Sequence, residues 1–441
     1  MNAKEVLDRA KKDKITFLNL QFTDIMGSLK QVTAPIKSLP DILKYGAWFD
    51  GSSVEGFARI HESDLYLKPD PSTYSIIPWL NSSEGNTARL ICDIYRPDGN
   101  PFEGDPRYIL KKVMKKARSM GFDYNTGPEP EFFLFKNDSS NLLPMDNDGY
   151  FDLTTDRAHT IRREITAALE MFGIDVEASH HEVAPGQHEI DFKHGDALTT
   201  ADRLLTLRVT VKSIAQRHGL KASFMPKPIM GINGSGMHVH QSLFDTKTKK
   251  NAFFDAKNKY NLSKIAFNFI GGQLHHVKGM MAVICPTVNS YKRLVAGYEA
   301  PVYISWARIN RSALIRVPKW FEDKSASARM ELRCPDPACN PYLAFAVMLA
   351  GGLNGVENKT KPPEPVEEDL YKFDAERLIS RKIDTLPSSL YEAINELKKN
   401  KLIHDVLGEH LYRRYIKIKT IEWNEFTKQV TRWEIDKYID I

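Results

Sequence analysis

Three amphipathic stretches of helical spacing, residues 107–120, 155–172 and 198–218, end at Gly121, Gly173 and Gly219, and a strand-like apolar run follows each of them. Glycine just past the last periodic residue stops a helix because it enters the left-handed region without a Cβ clash. Strands alternating with helices over roughly 250 residues predict a large α/β or α+β domain. Upstream the pattern is different. Residues 2–12 have helical spacing, and "ITFLNLQF" (15–22) and "LKQVTAPI" (29–36) read as strands joined by the turn "TDIMG". "DLYLKPD", "YSIIPWL" and "ARLICDIY" are further short apolar runs separated by turn residues. The Pro-, Gly- and Asp-rich segment 96–107 then marks a boundary, so we expect a small β-rich domain over 1–104 and a large domain over 105–441. A length of 441 residues, beyond what one core usually organises, agrees with two domains.

The balance of charge narrows the partners. Net charge is +5, and the 61 basic residues are scattered with no basic stripe or binding motif, so nucleic acid is not an expected partner. No run of about eighteen apolar residues occurs, and the charged start "MNAKEVLDRAKKDK" lacks a signal-peptide core, so no membrane is expected and the expected location is the cytoplasm. Cys92, Cys285, Cys334 and Cys339 form no CxxC pair and read as buried thiols in a reducing compartment. The tail from 387 is helical in pattern and ends in the apolar "WEIDKYIDI", which docks either on its own domain or on another subunit.

Chemistry is concentrated in acidic and basic residues embedded in apolar strands. In "GPEPEFFLF" (127–135) Glu129 and Glu131 point to one face of a strand whose other face is Pro128, Pro130, Phe132 and Leu134. Two buried like charges are costly unless something positive sits between them, and a strand end open to water is the alternative. The two prolines lack N–H donors toward one neighbour and mark an edge or opening. In "HHEVAPGQHEI" (180–190) a tight turn at Pro185–Gly186 would set Glu182 directly opposite Glu189, a second costly pair of acids. "NGSGMHVHQSL" (233–243) puts His238, His240 and Ser242 on one face, suited to a metal or a phosphate. "SARMELRCPDP" (327–337) flanks Glu331 with Arg329 and Arg333, either a surface ladder or a site. Arg293, Glu299, Arg311 and Arg316 lie around Gly and Pro breaks, and arginine forks bind oxyanions bidentately. Several glutamates and a histidine as hard-cation ligands, with arginines for anions, make the inventory of a site with two Mg²⁺ or Mn²⁺ ions and a phosphorylated substrate. No Walker A, kinase or Rossmann signature is present.

"FDGSSVEGF" (49–57), "GPEPEFFLF", "HHEVAPGQHEID", "NGSGMHVHQSL", "KRLVAGYEAP", "NRSALIRVP" and "MELRCPDPACNPYLAF" (330–345) together resemble, in order, the motifs of glutamine synthetases of the bacterial and archaeal type I class, in its shorter non-adenylylated form. The resemblance implies an α+β fold: an N-terminal β-grasp domain followed by a catalytic domain with a curved antiparallel sheet flanked by helices. It implies a homododecamer of two stacked hexameric rings, with active sites between subunits. On that pattern Glu131, Glu182 and Glu189 hold one Mg²⁺ or Mn²⁺ ion, and Glu129, His238 and Glu331 another. Asn233, Gly234, Arg293 and Arg333 bind glutamate, and Glu177, His240, Ser242 and Arg329 line the ATP site. Arg311 and Arg316 stabilise the phosphoryl group in flight. Asp50 of the adjacent subunit and Glu299 bind ammonium, Glu299 on a loop that closes the site.

The implied reaction is ATP-dependent ligation of ammonium to the γ-carboxylate of glutamate through γ-glutamyl phosphate, the chemistry of nitrogen assimilation. A γ-glutamyl-amine ligase shares the activation step, and a catalytically dead relative would have lost ligands that are all present here. Asp50 in "DGSS" and Glu299 in "GYEAP" favour ammonium. For regulation, Arg59 is a candidate for glutamine feedback and Arg89 for 2-oxoglutarate, a PII-type regulator is a possible partner, and Tyr371 is expected to remain unmodified.

Overall fold

The computed structural model of the chain describes all residues except 55, 57–63, 84, 138–142, 153–156, 298–299 and 320–324. The glycine-terminated helices are Pro106–Ser119, Arg157–Met171 and Ala197–Arg217, followed by Gly121, Gly173 and Gly219 at φ +89°, +74° and +71°. Asp105 and Asp196 cap two of them by accepting from the backbone N–H groups of Arg107 and Thr199. The first helix, Ala3–Lys12, begins with a capping box between Asn2 and Glu5.

The small sheet contains β1 (Ile15–Thr23), β2 (Leu29–Pro35), β3 (Ala47–Asp50), β4 (Asp64–Pro69), β5 (Ser75–Ile76) and β6 (Asn86–Tyr95). Its order is β2-β1-β6-β4-β3, with β5 added to β6, and β1 and β6 are its parallel pair. Leu18, Leu20, Leu67, Leu90 and Ile94 are buried in its core. The large sheet comprises β7 (Phe122–Lys136), β8 (Val176–His181), β9 (Gln187–Phe192), β10 (Gly195–Asp196), β11 (Leu220–Ser223), β12 (Met237–Asp245), β13 (Tyr303–Ala307), β14 (Ala313–Arg316), β15 (Met330–Leu332) and β16 (Asp384–Thr385). Its order is β16-β13-β14-β15-β12-β7-β9-β8, with β10 and β11 added to β7. All its pairs are antiparallel except β13 with β14. The helices Pro106–Ser119 and Ala197–Arg217 pack on β7, Phe269 of the buried helix Lys264–Ile284 meets Tyr124 of the same strand, and that helix packs on the buried Pro341–Asn358.

A buried arginine ties the small sheet to the large helical layer. Arg107 reaches Asp70 at 2.8 Å, Asp93 at 2.7 Å and Asp202 at 2.9 Å. Tyr342 Oη donates to the same Asp202 at 2.6 Å. No helix among the described residues is long and apolar enough to cross a membrane. The four cysteines are buried and free.

Strand β7 positions the site. Its residues 127–130 pair with β12 alone, whereas residues 125–126 also pair with β10 and residues 131–133 with β9. Pro128 and Pro130 stand in that opening, where a strand partner would otherwise need their missing N–H groups.

The hairpin register differs from the sequence expectation. His180, not Glu182, lies opposite Glu189, and His181 lies opposite His188. A two-residue Pro-Gly turn of type II splays paired strands, and the chain instead closes over residues 182–186. Glu182 N donates to Gln187 O at 2.7 Å and Gln187 N to Ala184 O at 3.0 Å. Glu182 therefore sits in the loop. The acids directly opposite each other are Glu131 and Glu189, on β7 and β9.

Candidate active site

Two cavities meet at Glu129. The larger, about 490 Å³, is lined by all six glutamate and histidine side chains expected to hold metal: Glu129, Glu131, Glu182, Glu189, His238 and Glu331. Asn233, Gly234, Arg293, Arg311, Arg316 and Arg333 line the same space. The smaller, about 270 Å³, brings together Glu177, His240, Ser242 and Arg329, and Glu129 is part of its wall as well. The opening beside Gly127 and Pro128 of β7 lies in that second cavity.

The carboxylates of the first triad are held in their ionised form by their neighbours. Glu129, His238 and Glu331 present ligand atoms within 4.8 Å of one another. β12 sets His238 opposite Glu129, and β15 brings Glu331 beside them. His238 Nδ1 is 3.6 Å from Glu129 and 3.5 Å from Glu331. Burial would raise the Glu129 carboxyl, but its bonds with His238 and His240 outweigh that and hold it below the usual range. Burial likewise opposes His238, His240, Arg333 and Arg316 at Glu331, and together these neighbours outweigh it and hold the carboxyl below the usual range. Glu331 is only 1% exposed, so the surface-ladder alternative does not hold.

Its arginine partners are partly different from those expected. Arg333 Nε lies 3.3 Å from Glu331, and the second guanidinium is that of Arg316, opposite it on β14. Arg329 turns instead to the smaller cavity, where its Nε donates to His240 Nδ1 at 3.2 Å. His240 Nε2 is then the protonated nitrogen and donates to Glu129 Oε1 at 2.7 Å.

The second group of acids is not neutralised. Burial, then Glu189 and Glu182, pushes Glu131 well above the carboxylate range. Burial, then Asp191 and Glu129, does the same to Glu189. Glu182 and Glu189 gather with His180, which is 3.6 Å from the first and 3.2 Å from the second. Glu131 Oε2 accepts from Gln187 Nε2 at 2.7 Å and Gly236 N at 3.0 Å. Packed carboxylates that repel one another in low dielectric are the donor set of a hard divalent cation, whose charge removes the conflict. His180 and Gln187 are site residues that the sequence expectation missed. The hairpin register would have revealed His180, since it faces Glu189 across the ladder.

The residues expected to bind anions divide by how they are committed. Arg293 donates to the carbonyls of Arg333, Cys334 and Pro335, so it anchors the wall as well as lining the cavity. Arg333 is buried with its Nε towards Glu331, and its Nη1 has no hydrogen-bond partner among the described residues, which suits capture of a carboxylate. Asn233 and Gly234 contribute loop surface, and Gly234 O accepts from Gln187 Nε2 at 3.2 Å. Tyr371, unmodified in expectation, donates from Oη to Ala300 O at 2.7 Å and lines the larger cavity.

Two of the expected residues stand elsewhere, and two more lie outside the described residues. Asp50 is exposed at the end of β3, outside both cavities of its own chain, and accepts from Ser52 N at 2.8 Å. Arg89 is buried in β6 with its guanidinium 4.9 Å from the Phe172 ring, and burial lowers it to about 10. Glu299 and Arg59 lie outside the described residues, though Gly297 and Ala300, on either side of Glu299, line the larger cavity.

Two consecutive segments of the chain match family models, the glutamine synthetase β-grasp domain over residues 14–97 and the glutamine synthetase catalytic domain over residues 103–438. The chain belongs to the glutamine synthetase family. Glutamine synthetase of Clostridium saccharobutylicum is 51% identical over 440 residues, covering 99% of this chain and 98% of the relative. Glutamine synthetase of Staphylococcus aureus is 51% identical over 435 residues, covering 98% and 96%. Among solved structures, a GmaS–ADP complex superposes with a TM-score of 0.90 at 32% identity, covering 99% of both chains. The glutamine synthetase of Plasmodium falciparum does so at 0.88 and 26% identity, also covering 99% of both. The α+β fold of a β-grasp sheet and a curved, mostly antiparallel catalytic sheet is that of glutamine synthetases. The chain is accordingly an ATP-using, divalent-metal-dependent ligase of that family.

Proposed function

We infer that this family member forms L-glutamine from L-glutamate and ammonium, converting ATP to ADP and phosphate through γ-glutamyl phosphate. One observation carries the reading: Glu129 belongs to both walls, so an acid-rich cavity and the cavity of the expected nucleotide residues share a carboxylate at the point where phosphoryl transfer would occur.

A carboxylate is a poor acyl donor, and phosphorylation gives it a leaving group. Glutamate's γ-carboxylate attacks the γ-phosphorus of ATP, and the acyl phosphate is then opened by ammonia. We assign Glu129, His238 and Glu331 to one divalent ion, Mg²⁺ or Mn²⁺, and Glu131, Glu182 and Glu189 to a second, with His180 beside the latter pair. Such ions, when bound, offset the charge on phosphate oxygens. Arg333 and Arg293, with the Asn233–Gly234 loop, hold the glutamate substrate. Arg311 and Arg316 stabilise the transferring group, Arg316 while paired to Glu331. Glu177, His240, Ser242 and Arg329 hold ATP.

Ammonium must bind as a cation and lose a proton before its lone pair can attack. We assign that step to Glu299 and to Asp50 of a neighbouring subunit. Asp50 supports this reading by standing exposed beside the exposed Trp48, away from its own chain's cavities. A dodecamer of two hexameric rings in the cytoplasm, with domains over 1–104 and 105–441, completes the proposal. Arg59 and Arg89 are the positions to vary when testing glutamine and 2-oxoglutarate as effectors, and a PII-type protein is the regulator to test. The reaction itself is tested by phosphate release with glutamate, ATP and Mg²⁺, comparing ammonium with organic amines. Release that responded to amines alone would reassign the chain as a γ-glutamyl-amine ligase.

A further inference from the structure

Asp146 lies outside both cavities, yet it grips the loop that carries Glu182. Residues 143–145 run beside the end of β7: Lys136 N donates to Leu143 O, and Met145 N to Leu134 O, both at 2.9 Å. Asp146 follows directly. Its Oδ1 accepts from Gly186 N at 2.7 Å and lies 2.9 Å from His181 Nε2. His181 Nδ1 is in turn 2.6 Å from the carbonyl oxygen of Glu182. One carboxylate oxygen thus fixes the last residue of β8 and the last residue of the 182–186 loop. Gly186 has φ +68°, and a Cβ there would stand 2.9 Å from Leu134 O, so the loop needs glycine to lie this close to β7.

Asp146, His181 and His188 have ligand atoms within 4.8 Å of one another, which is also the spacing of a metal site. Arg162 argues against that use. Its Nη1 is 2.9 Å from His188 Nδ1, and since arginine can only donate, Nδ1 accepts and the ring proton is on Nε2. A ligating histidine needs a lone pair where His188 carries that proton. His188 Nε2 faces Asp146 Oδ2 at 3.9 Å, and neither atom has a hydrogen-bond partner among the described residues, a separation that one bridging water can span. The trio is a clamp whose two histidines each precede an acid of the hairpin, Glu182 and Glu189.

We propose that Asp146 is a positioning residue for the cation site of Glu182 and Glu189: by holding His181 and Gly186 it sets the placement of the Glu182 carboxylate and so the affinity of that site alone. This rests on the two-ion reading given above. Mn²⁺ titration of the full-length protein without substrates, followed by electron paramagnetic resonance and calorimetry, separates the two ideas because it needs no turnover. Wild type should bind two Mn²⁺ per chain, and fewer would sink the two-ion reading itself. Asp146→Ala should weaken one site by roughly ten- to a hundredfold, the scale of lost ligand support, and leave the other unchanged. The weakened site should be the one abolished in Glu182→Gln. Asp146→Asn retains the Oδ1 acceptor and should recover most of the affinity. Two wild-type sites in Asp146→Ala, or parallel loss of both sites with a lowered melting temperature, would overturn the proposal. Should the alanine variant not fold, Asp146→Glu gives the same decision, with selective weakening of one site supporting the proposal and unchanged binding overturning it.

Discussion

His240 Nε2 donates to Glu129 Oε1 across 2.7 Å, while its Nδ1 accepts from Arg329 Nε at 3.2 Å, so one imidazole in the smaller cavity is tied to the carboxylate that the two cavities share. An imidazole can serve both roles only as a single tautomer, and Arg329 fixes which one.

His240→Ala should therefore raise the KM for ATP by roughly tenfold or more, the scale of losing a ligand's hydrogen-bonded support, with a smaller change for glutamate. Steady-state kinetics with each substrate varied in turn checks this. Equal changes in both KM values would argue that the ring only packs.

Glu129→Ala and Glu131→Ala should fail differently. Glu129 borders the smaller cavity, proposed for ATP, and shares a triad with His238 and Glu331, whereas Glu131 faces Glu189 and Gln187 across from it. The first variant should lose mainly nucleotide and phosphate handling, the second mainly glutamate and ammonium handling. Metal titration of the two should give distinct profiles, and identical ones would indicate one shared ion.

The metal-free protein should lose stability as pH rises. Burial and mutual repulsion raise Glu131 and Glu189 above the ordinary glutamate value of 4.5. A carboxyl raised on folding contributes stability below its unfolded pKa and loses it as pH climbs through the folded value. Divalent cations bind the ionised form, so the thermal shift caused by Mg²⁺ or Mn²⁺ should grow from about pH 5 towards pH 8, with proton release on binding. Melting curves across that range, with and without metal, measure it. A shift that shrank with rising pH would contradict the assignment of these acids as ligands.

Arg107→Ala leaves Asp70, Asp93 and Asp202 without their shared buried cation. Removing one partner from such a network costs about 3–5 kcal/mol. Chemical denaturation should show a loss of that size, and a change under about 1 kcal/mol would mean that water takes the arginine's place.

The helices and the burdened strand were legible because their signals are local. Gly121, Gly173 and Gly219 mark helix ends by a backbone preference, and Glu129 and Glu131 are conspicuous because apolar neighbours on one strand make their charge costly. Partners across the sheet were harder to read. The Glu182–Glu189 register failed because loop 182–186 closes through its own backbone bonds, and no short-range pattern announces those. Arg316 replaces Arg329 on Glu331 because β14 pairs with β15, a contact fixed by sheet order rather than by spacing along the chain. Asp146 was invisible for the same reason, its partners His181 and Gly186 lying on a different hairpin.

The most direct test is glutamate-dependent phosphate release by the pure protein with ATP and Mg²⁺, measured with and without ammonium alongside glutamine formation. Release should saturate with ammonium and match glutamine one for one. Release that required glutamate and ATP but did not respond to ammonium would contradict the account.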